Sequence, residues 1–179
     1  MSGRAPDHRG HRGQGGGPLP DGAPVVVNGW ALYTWIEFAE RWAALRGEVA
    51  RLRAGRPPDV VRQHPATKTL AMVSTLVLRE IPADPGAPAY RLGHALGPSH
   101  THWRRAKFFR RFRLFFRYHS ERRIIVYAWL NDEHTLRKAG ARSDAYAVFA
   151  AMLARGTPPS AFEDLLRPAA SLRAGDVRE

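Results

Sequence analysis

Trp103-Arg-Arg-Ala-Lys-Phe-Phe-Arg-Arg-Phe-Arg-Leu-Phe-Phe-Arg-Tyr118, followed by Arg122-Arg-Ile-Ile-Val-Tyr-Ala-Trp-Leu-Asn-Asp-Glu133, is the stretch whose reading decides the fold. Between Phe112 and Tyr118 the residues alternate as they would on a β-strand. Phe112, Leu114, Phe116 and Tyr118 share one face, and Arg111, Arg113 and Arg117 share the other with Phe115. One face is expected to be core and the other a row of guanidinium groups, roughly 7 to 13 Å apart by strand rise, suited to successive phosphates of one nucleic-acid strand.

Charge distribution supports a polyanion surface. The formal net charge is +12 over 179 residues, and residues 99–123 hold nine Lys and Arg against the single acid Glu121. A basic stripe of this density suits nucleic acid, although a basic edge strand that resists aggregation would look similar. The absence of cysteine excludes disulfides, thiolate zinc sites and cysteine nucleophiles. No signal-peptide core and no apolar run of membrane-spanning length is present, so a cytoplasmic protein is expected.

Working outward, residues 1–24 are rich in Gly, Pro, His and Arg and read as a disordered basic tail. The domain is expected over 25–166, with a flexible C-terminal tail over 167–179. Val25 to Tyr33 reads as a short strand interrupted at Asn28-Gly29. Thr34-Trp-Ile-Glu37 has capping-box spacing, and Phe38, Trp42, Leu45, Val49 and Leu52 then mark the buried face of a helix stopped by Gly55 and Pro57-Pro58. A second helix carries Leu70, Met72, Val73, Leu76 and Val77, starts at Pro58 or Pro65, and ends before Pro82. Tyr90 to Leu96 reads as a short extended segment or β-like loop.

Three strands follow as a meander, roughly 103–109, 111–119 and 123–130; the turn at Phe109-Arg110 lacks the usual Gly, Asn or Asp. Ser143 is placed to cap a last helix bearing Tyr146, Phe149, Ala150 and Leu153, ended by Gly156 and Pro158-Pro159. The sum is an α+β fold: a short N-terminal strand and two helices packed on a small antiparallel sheet, with a C-terminal helix.

Several blocks go beyond pattern. Val27-Asn-Gly-Trp-Ala-Leu-Tyr33, Trp103-x-x-x-Lys-Phe108, Phe112-Arg-Leu-Phe-Phe-Arg-Tyr118, Trp129-x-Asn-Asp-Glu133 with Thr135-Leu136, Asp144-Ala-Tyr146-x-Val-Phe149 and Met152-Leu-x-x-Gly156-x-Pro-Pro159 occur in one order. Together, from about Val26 to Leu166, they resemble the YhaV toxins of bacterial type II toxin-antitoxin systems, in the RelE/ParE-like group. The resemblance implies an endoribonuclease that cuts messenger RNA, on the ribosome, and stops translation and growth. It implies no metal or other cofactor: the RNA's 2′-hydroxyl attacks its own phosphorus and leaves a 5′-hydroxyl. It also implies neutralisation by a PrlF-type antitoxin with a swapped-hairpin, AbrB-like domain, which alone contacts operator DNA.

Such chemistry needs a base, an acid and cations around the phosphorane. The resemblance places a phosphate-binding arginine at Arg113. Lys107, on the preceding strand, is expected to clamp the phosphate with it or to act as base. Glu133 and His134, where the third strand ends, are candidates for acid or base, although Asp132 and Glu133 also suit a structural turn paired with Arg137. Tyr146 is a candidate for stacking or donation to the phosphate, although its helical spacing with Phe149 and Leu153 favours core. Arg105, Arg110, Arg111, Arg117, Asn131 and Arg137 are expected to position RNA. His119 is a further acid/base candidate. His100-x-His102 is a weak metal motif, and the five tryptophans read mostly as core. Two other functions fit the charge: a ParE-like gyrase poison and a non-catalytic ribosome- or RNA-binding module. In either toxin reading an acidic antitoxin segment is expected across Arg111, Arg113 and Arg117.

Overall fold

The computed structural model describes residues 23–177, so most of the expected N-terminal tail lies outside the described residues. A mixed sheet runs β1-β2-β5-β4-β3, formed by Val26–Val27 (β1), Trp30–Thr34 (β2), Arg104–Phe108 (β3), Phe112–His119 (β4) and Ile124–Leu130 (β5). Asn28 and Gly29 both hold positive φ and make the two-residue hairpin between β1 and β2 that this dipeptide favours. The meander β3-β4-β5 is antiparallel as expected. The expected all-antiparallel sheet is corrected at one join: β2 runs parallel to β5, Ala31 opposite Ile124 through Thr34 opposite Tyr127. The crossover that allows it is the whole helical layer between β2 and β3.

All seven residues of β5 are buried because the sheet is covered on both faces. Leu32, Leu114, Phe116, Ile125 and Tyr127 face one core with helices α1 (Ile36–Gly55) and α3 (Pro65–Thr75). Tyr33, Trp103, Phe115, Val126 and Trp129 face a second core closed by α5 (Ala145–Ala154) and α6 (Phe162–Leu166). The expectation that the arginine face of β4 is an open row is therefore corrected. Arg113 is 6% exposed, and Arg117 lies between the rings of Trp103 and Phe162 with its Nη1 donating to the Ser160 carbonyl. Arginine can be buried there because rings take its flat faces and carbonyls its N–H groups. Arg111 alone of the three stays exposed.

The face foreseen for α1 is the buried one, Phe38, Trp42, Leu45 and Val49. Both foreseen starts of the next helix are used, since Pro58–Gln63 (α2) is a separate turn of helix before α3. That layer does not stop before Pro82. A π-helical turn, Leu76–Glu80, carries it into α4 (Ile81–Ala83). In that turn the Ile81 N–H reaches the Leu76 carbonyl, Pro82 has no N–H to give, and the Val77 carbonyl instead accepts from the buried Tyr127 hydroxyl at 2.7 Å.

Three other expectations are corrected. Thr34 makes no capping box: Trp35 is the N-cap, without a side-chain bond, and the Thr34 hydroxyl turns to the Ala170 carbonyl. Asp144, not Ser143, caps α5 through the Tyr146 N–H at 3.0 Å. Ala170–Ser171 forms β6 against β2, and buried Ala169 and Leu172 flank it, so this part of the expected loose tail is packed. A short helix, α7 (Ala174–Val177), follows. The segment from Tyr90 to Leu96 is a series of tight turns with one bridge, Arg91 to Arg104. No helix of the described residues is long and apolar enough to cross a membrane.

Candidate active site

The β3–β4 register sets Lys107 opposite Arg113 and Arg105 opposite Phe115. The Arg105 and Arg113 guanidinium groups converge on one atom: the Tyr146 hydroxyl accepts from Arg105 Nε at 2.8 Å and from Arg113 Nε at 3.2 Å. With its lone pairs facing two cationic donors, the phenol's O–H is directed toward another acceptor. The Tyr146 ring is fixed edge-on to Phe115 and lies under the guanidinium groups of Arg113 and Arg137. Arg113 Nη1 also donates to the carbonyls of Phe112, at 2.7 Å, and Arg110, at 3.1 Å.

Two buried side chains hold this arrangement. Asn131, wholly buried at the end of β5, accepts from the Arg113 N–H at 2.6 Å and donates to the carbonyls of Arg111 and Thr135. Asp144 ties α5 to the loop before it, accepting from Arg137 Nη1, from the Lys138 N–H at 2.5 Å and from the Tyr146 N–H. Burial alone would raise the Asp144 pKa, but the bonds from Arg137, Tyr146 and Lys138 and the Arg137 charge outweigh it and hold the carboxyl below its usual range. Lys107, Arg113, Arg137, Asp144 and Tyr146, with Ala95, Ala139 and Gly140, line an open cleft of about 500 Å³. Lys107 is exposed at its edge, and with Asp144 already paired the cleft carries excess positive charge suited to an anion.

The family model describing a toxin with endonuclease activity, of a toxin-antitoxin system, matches residues 32–170. The chain belongs to the YhaV toxin family. It is 44% identical over 146 residues to the ribonuclease toxin YhaV of Escherichia coli K12, covering 80% of this chain and 94% of that protein. The toxin YhaV of E. coli O157:H7 gives the same figures, and that of E. coli O6:H1 is 44% identical over 144 residues, 79% of this chain and 93% of its own. No solved structure gives a significant match.

In this YhaV-family toxin the structure brings together Lys107, Arg105, Arg113, Arg137 and Tyr146, while Asn131 serves from beneath. It does not bring Glu133 or His134 to the cleft lining. Glu133 is exposed and paired with Arg41 of α1 at 3.1 Å, not with Arg137. His134 is exposed, its N–H bonded to Asp132, whose carboxyl also takes the Thr135 N–H and hydroxyl in a tight turn. Arg110 and Arg111 sit at the β3–β4 hairpin, where Arg111 Nε donates to the Arg137 carbonyl. Arg117 is half-buried between Trp103 and Phe162 beside the second core, His119 packs on Phe162, and His100 bonds Ser160 while His102 lies against Trp103. The residue that sequence reasoning missed is Asp144. Its signal was present: an acid two residues before Tyr146, where a helix cap belongs, and seven after Arg137.

Proposed function

We propose that this YhaV-family toxin is a metal-independent ribonuclease that cuts messenger RNA by attack of the RNA's own 2′-hydroxyl. The observation that carries the reading is the convergence of Arg105 and Arg113 on the Tyr146 hydroxyl beside an open cleft that Lys107, Arg113 and Arg137 line. A scissile phosphate seated there meets the cations that offset the extra charge of the phosphorane. The new bond joins the 2′-oxygen to phosphorus as the bond to the 5′-oxygen breaks, and the 2′-hydroxyl's proton passes to water in the open cleft, which afterwards restores the proton that Tyr146 gives up. Tyr146 hands its proton to that 5′-oxygen, so the products are a 2′,3′-cyclic phosphate and a 5′-hydroxyl.

The cleft supplies cations and an acid, but among the described residues the one carboxylate lining it, Asp144, is committed to Arg137 and two amides, and no imidazole lines it. This favours action on the ribosome, where bound RNA completes the site. Lys107, Arg110 and Arg111, exposed at the mouth, are the cations an acidic segment of a PrlF-type antitoxin would cover in the cytoplasm. The test is primer extension on a defined messenger RNA in a bacterial translation extract and on the same RNA alone, with the wild type and Arg113→Ala. New 5′ ends that need translation and vanish with the variant support the reading. Translation that stops with intact RNA makes the cleft a binding surface only.

A further inference from the structure

The tip of the β3–β4 hairpin adjoins the cleft, yet the chemistry above does not use its apolar ring. Phe108 pairs with Phe112, so Phe109, Arg110 and Arg111 form a three-residue tip. Phe109 and Arg110 both hold positive φ, 41° and 62°, where a side chain crowds its own backbone; each such residue costs of order 1–3 kcal/mol. Turns that need this conformation are ordinarily built from Asn and Gly.

Core packing does not account for the choice. Phe108 and Phe112 stack on each other at 5.3 Å between centroids, whereas Phe109 meets both edge-on and remains 45% exposed. The strained tip is tied directly to the cleft, because Arg113 Nη1 bonds the Arg110 carbonyl. The tip and the strand entering it also carry the exposed side chains of Lys107, Arg110 and Arg111, none with a carboxylate partner among the described residues.

We infer that Phe109 is a base-stacking residue: its exposed ring takes the face of a nucleobase beside the cleaved phosphate, while Lys107, Arg110 and Arg111 hold the flanking phosphates. This rests on the ribonuclease reading above and adds to it the residue that sets RNA register. An exposed apolar ring on a tip whose cations lack carboxylate partners among the described residues suits a polyanion that carries flat apolar faces. Since every base has such a face, the contact fixes position without dictating sequence.

The test uses short oligoribonucleotides, each with one abasic ribose at a successive position and a 2′-deoxy sugar at the cut site to prevent turnover. Affinity for the wild type, Phe109→Ala and Phe109→Trp is measured at fixed salt by fluorescence anisotropy. One position is expected at which the abasic RNA binds the wild type about tenfold more weakly, within the range known for stacking on one base. Phe109→Ala should lose the same factor on intact RNA, the two losses should not add, and Phe109→Trp should retain affinity. Phe109→Asn, which tolerates the left-handed backbone, should lose RNA affinity with no drop in Tm, which separates the effect from misfolding. Intact RNA bound equally by the wild type and Phe109→Ala, or losses that add at every position, overturns the assignment alone. A loss confined to antitoxin affinity also overturns it, making the tip a protein contact. A wild type that binds none of these RNAs on or off the ribosome overturns the ribonuclease reading with it.

Discussion

Replacing Tyr146 with Phe removes one oxygen and keeps the ring. The lost oxygen is the shared acceptor of Arg105 Nε and Arg113 Nε, on side chains 9% and 6% exposed, so water cannot fully replace it. A hydrogen bond to a charged group contributes about 1.5–3 kcal/mol. The 3.2 Å bond is the weaker of the two, which puts the expected cost at about 2–4 kcal/mol. For a domain of this size that lowers Tm by roughly 4–16 °C. The rate carries separate information: loss of a general acid costs on the order of 100-fold or more. Thermal unfolding and cleavage kinetics, the latter well below both melting temperatures, read the two effects apart. A lower Tm with unchanged cleavage would refute proton donation by Tyr146, and an unchanged Tm would refute the bonding geometry itself.

Two further predictions concern the support of the site. Asn131→Ala leaves the Arg113 N–H and the Thr135 carbonyl without their partner around a buried position, while the Arg111 carbonyl keeps only its bond from the Arg137 N–H, so urea unfolding should show a loss of about 2–5 kcal/mol. A loss below about 1 kcal/mol would mean that water replaces the amide. The second concerns His102, whose pKa is lowered from 6.5 to about 4 by burial first and then by the charges of Arg117, His100 and Arg104. Between those values the unfolded chain binds a proton that the folded chain does not, so stability rises with pH across that window and falls on acidification from 6.5 toward 4. Urea midpoints from pH 4 to 7 should slope less steeply for His102→Gln; an unchanged slope contradicts this.

The helices and the meander were legible because each buries a periodic face: Phe38 to Val49 at helical spacing, and Phe112 to Tyr118 at strand spacing. What escaped was whatever depends on partners distant in sequence. The parallel pairing of β2 with β5 has no local signal, and two-residue β6 is too short to show a period. Arg113 and Arg117 looked solvent-facing because charge ordinarily marks a surface, whereas here Tyr146, Trp103, Phe162 and backbone carbonyls receive them. Within the site, the cross-strand partnership of Lys107 with Arg113 could be anticipated from adjacent strands. The tight turn at Asp132 could not, nor could the Arg41 partner that keeps Glu133 from the cleft lining.

The central claim, cleavage by the RNA's own 2′-hydroxyl within this cleft, is tested most directly by one atom of the substrate. A messenger RNA with a single 2′-deoxy sugar immediately 5′ to its principal cut site is incubated with the toxin and translating ribosomes, and the cut sites and end groups are read. The account predicts that cleavage disappears at that linkage alone, while neighbouring cuts persist with 2′,3′-cyclic phosphate and 5′-hydroxyl ends. Cleavage that continues at the deoxy linkage and leaves a 5′-phosphate would contradict it, because water would then be the nucleophile.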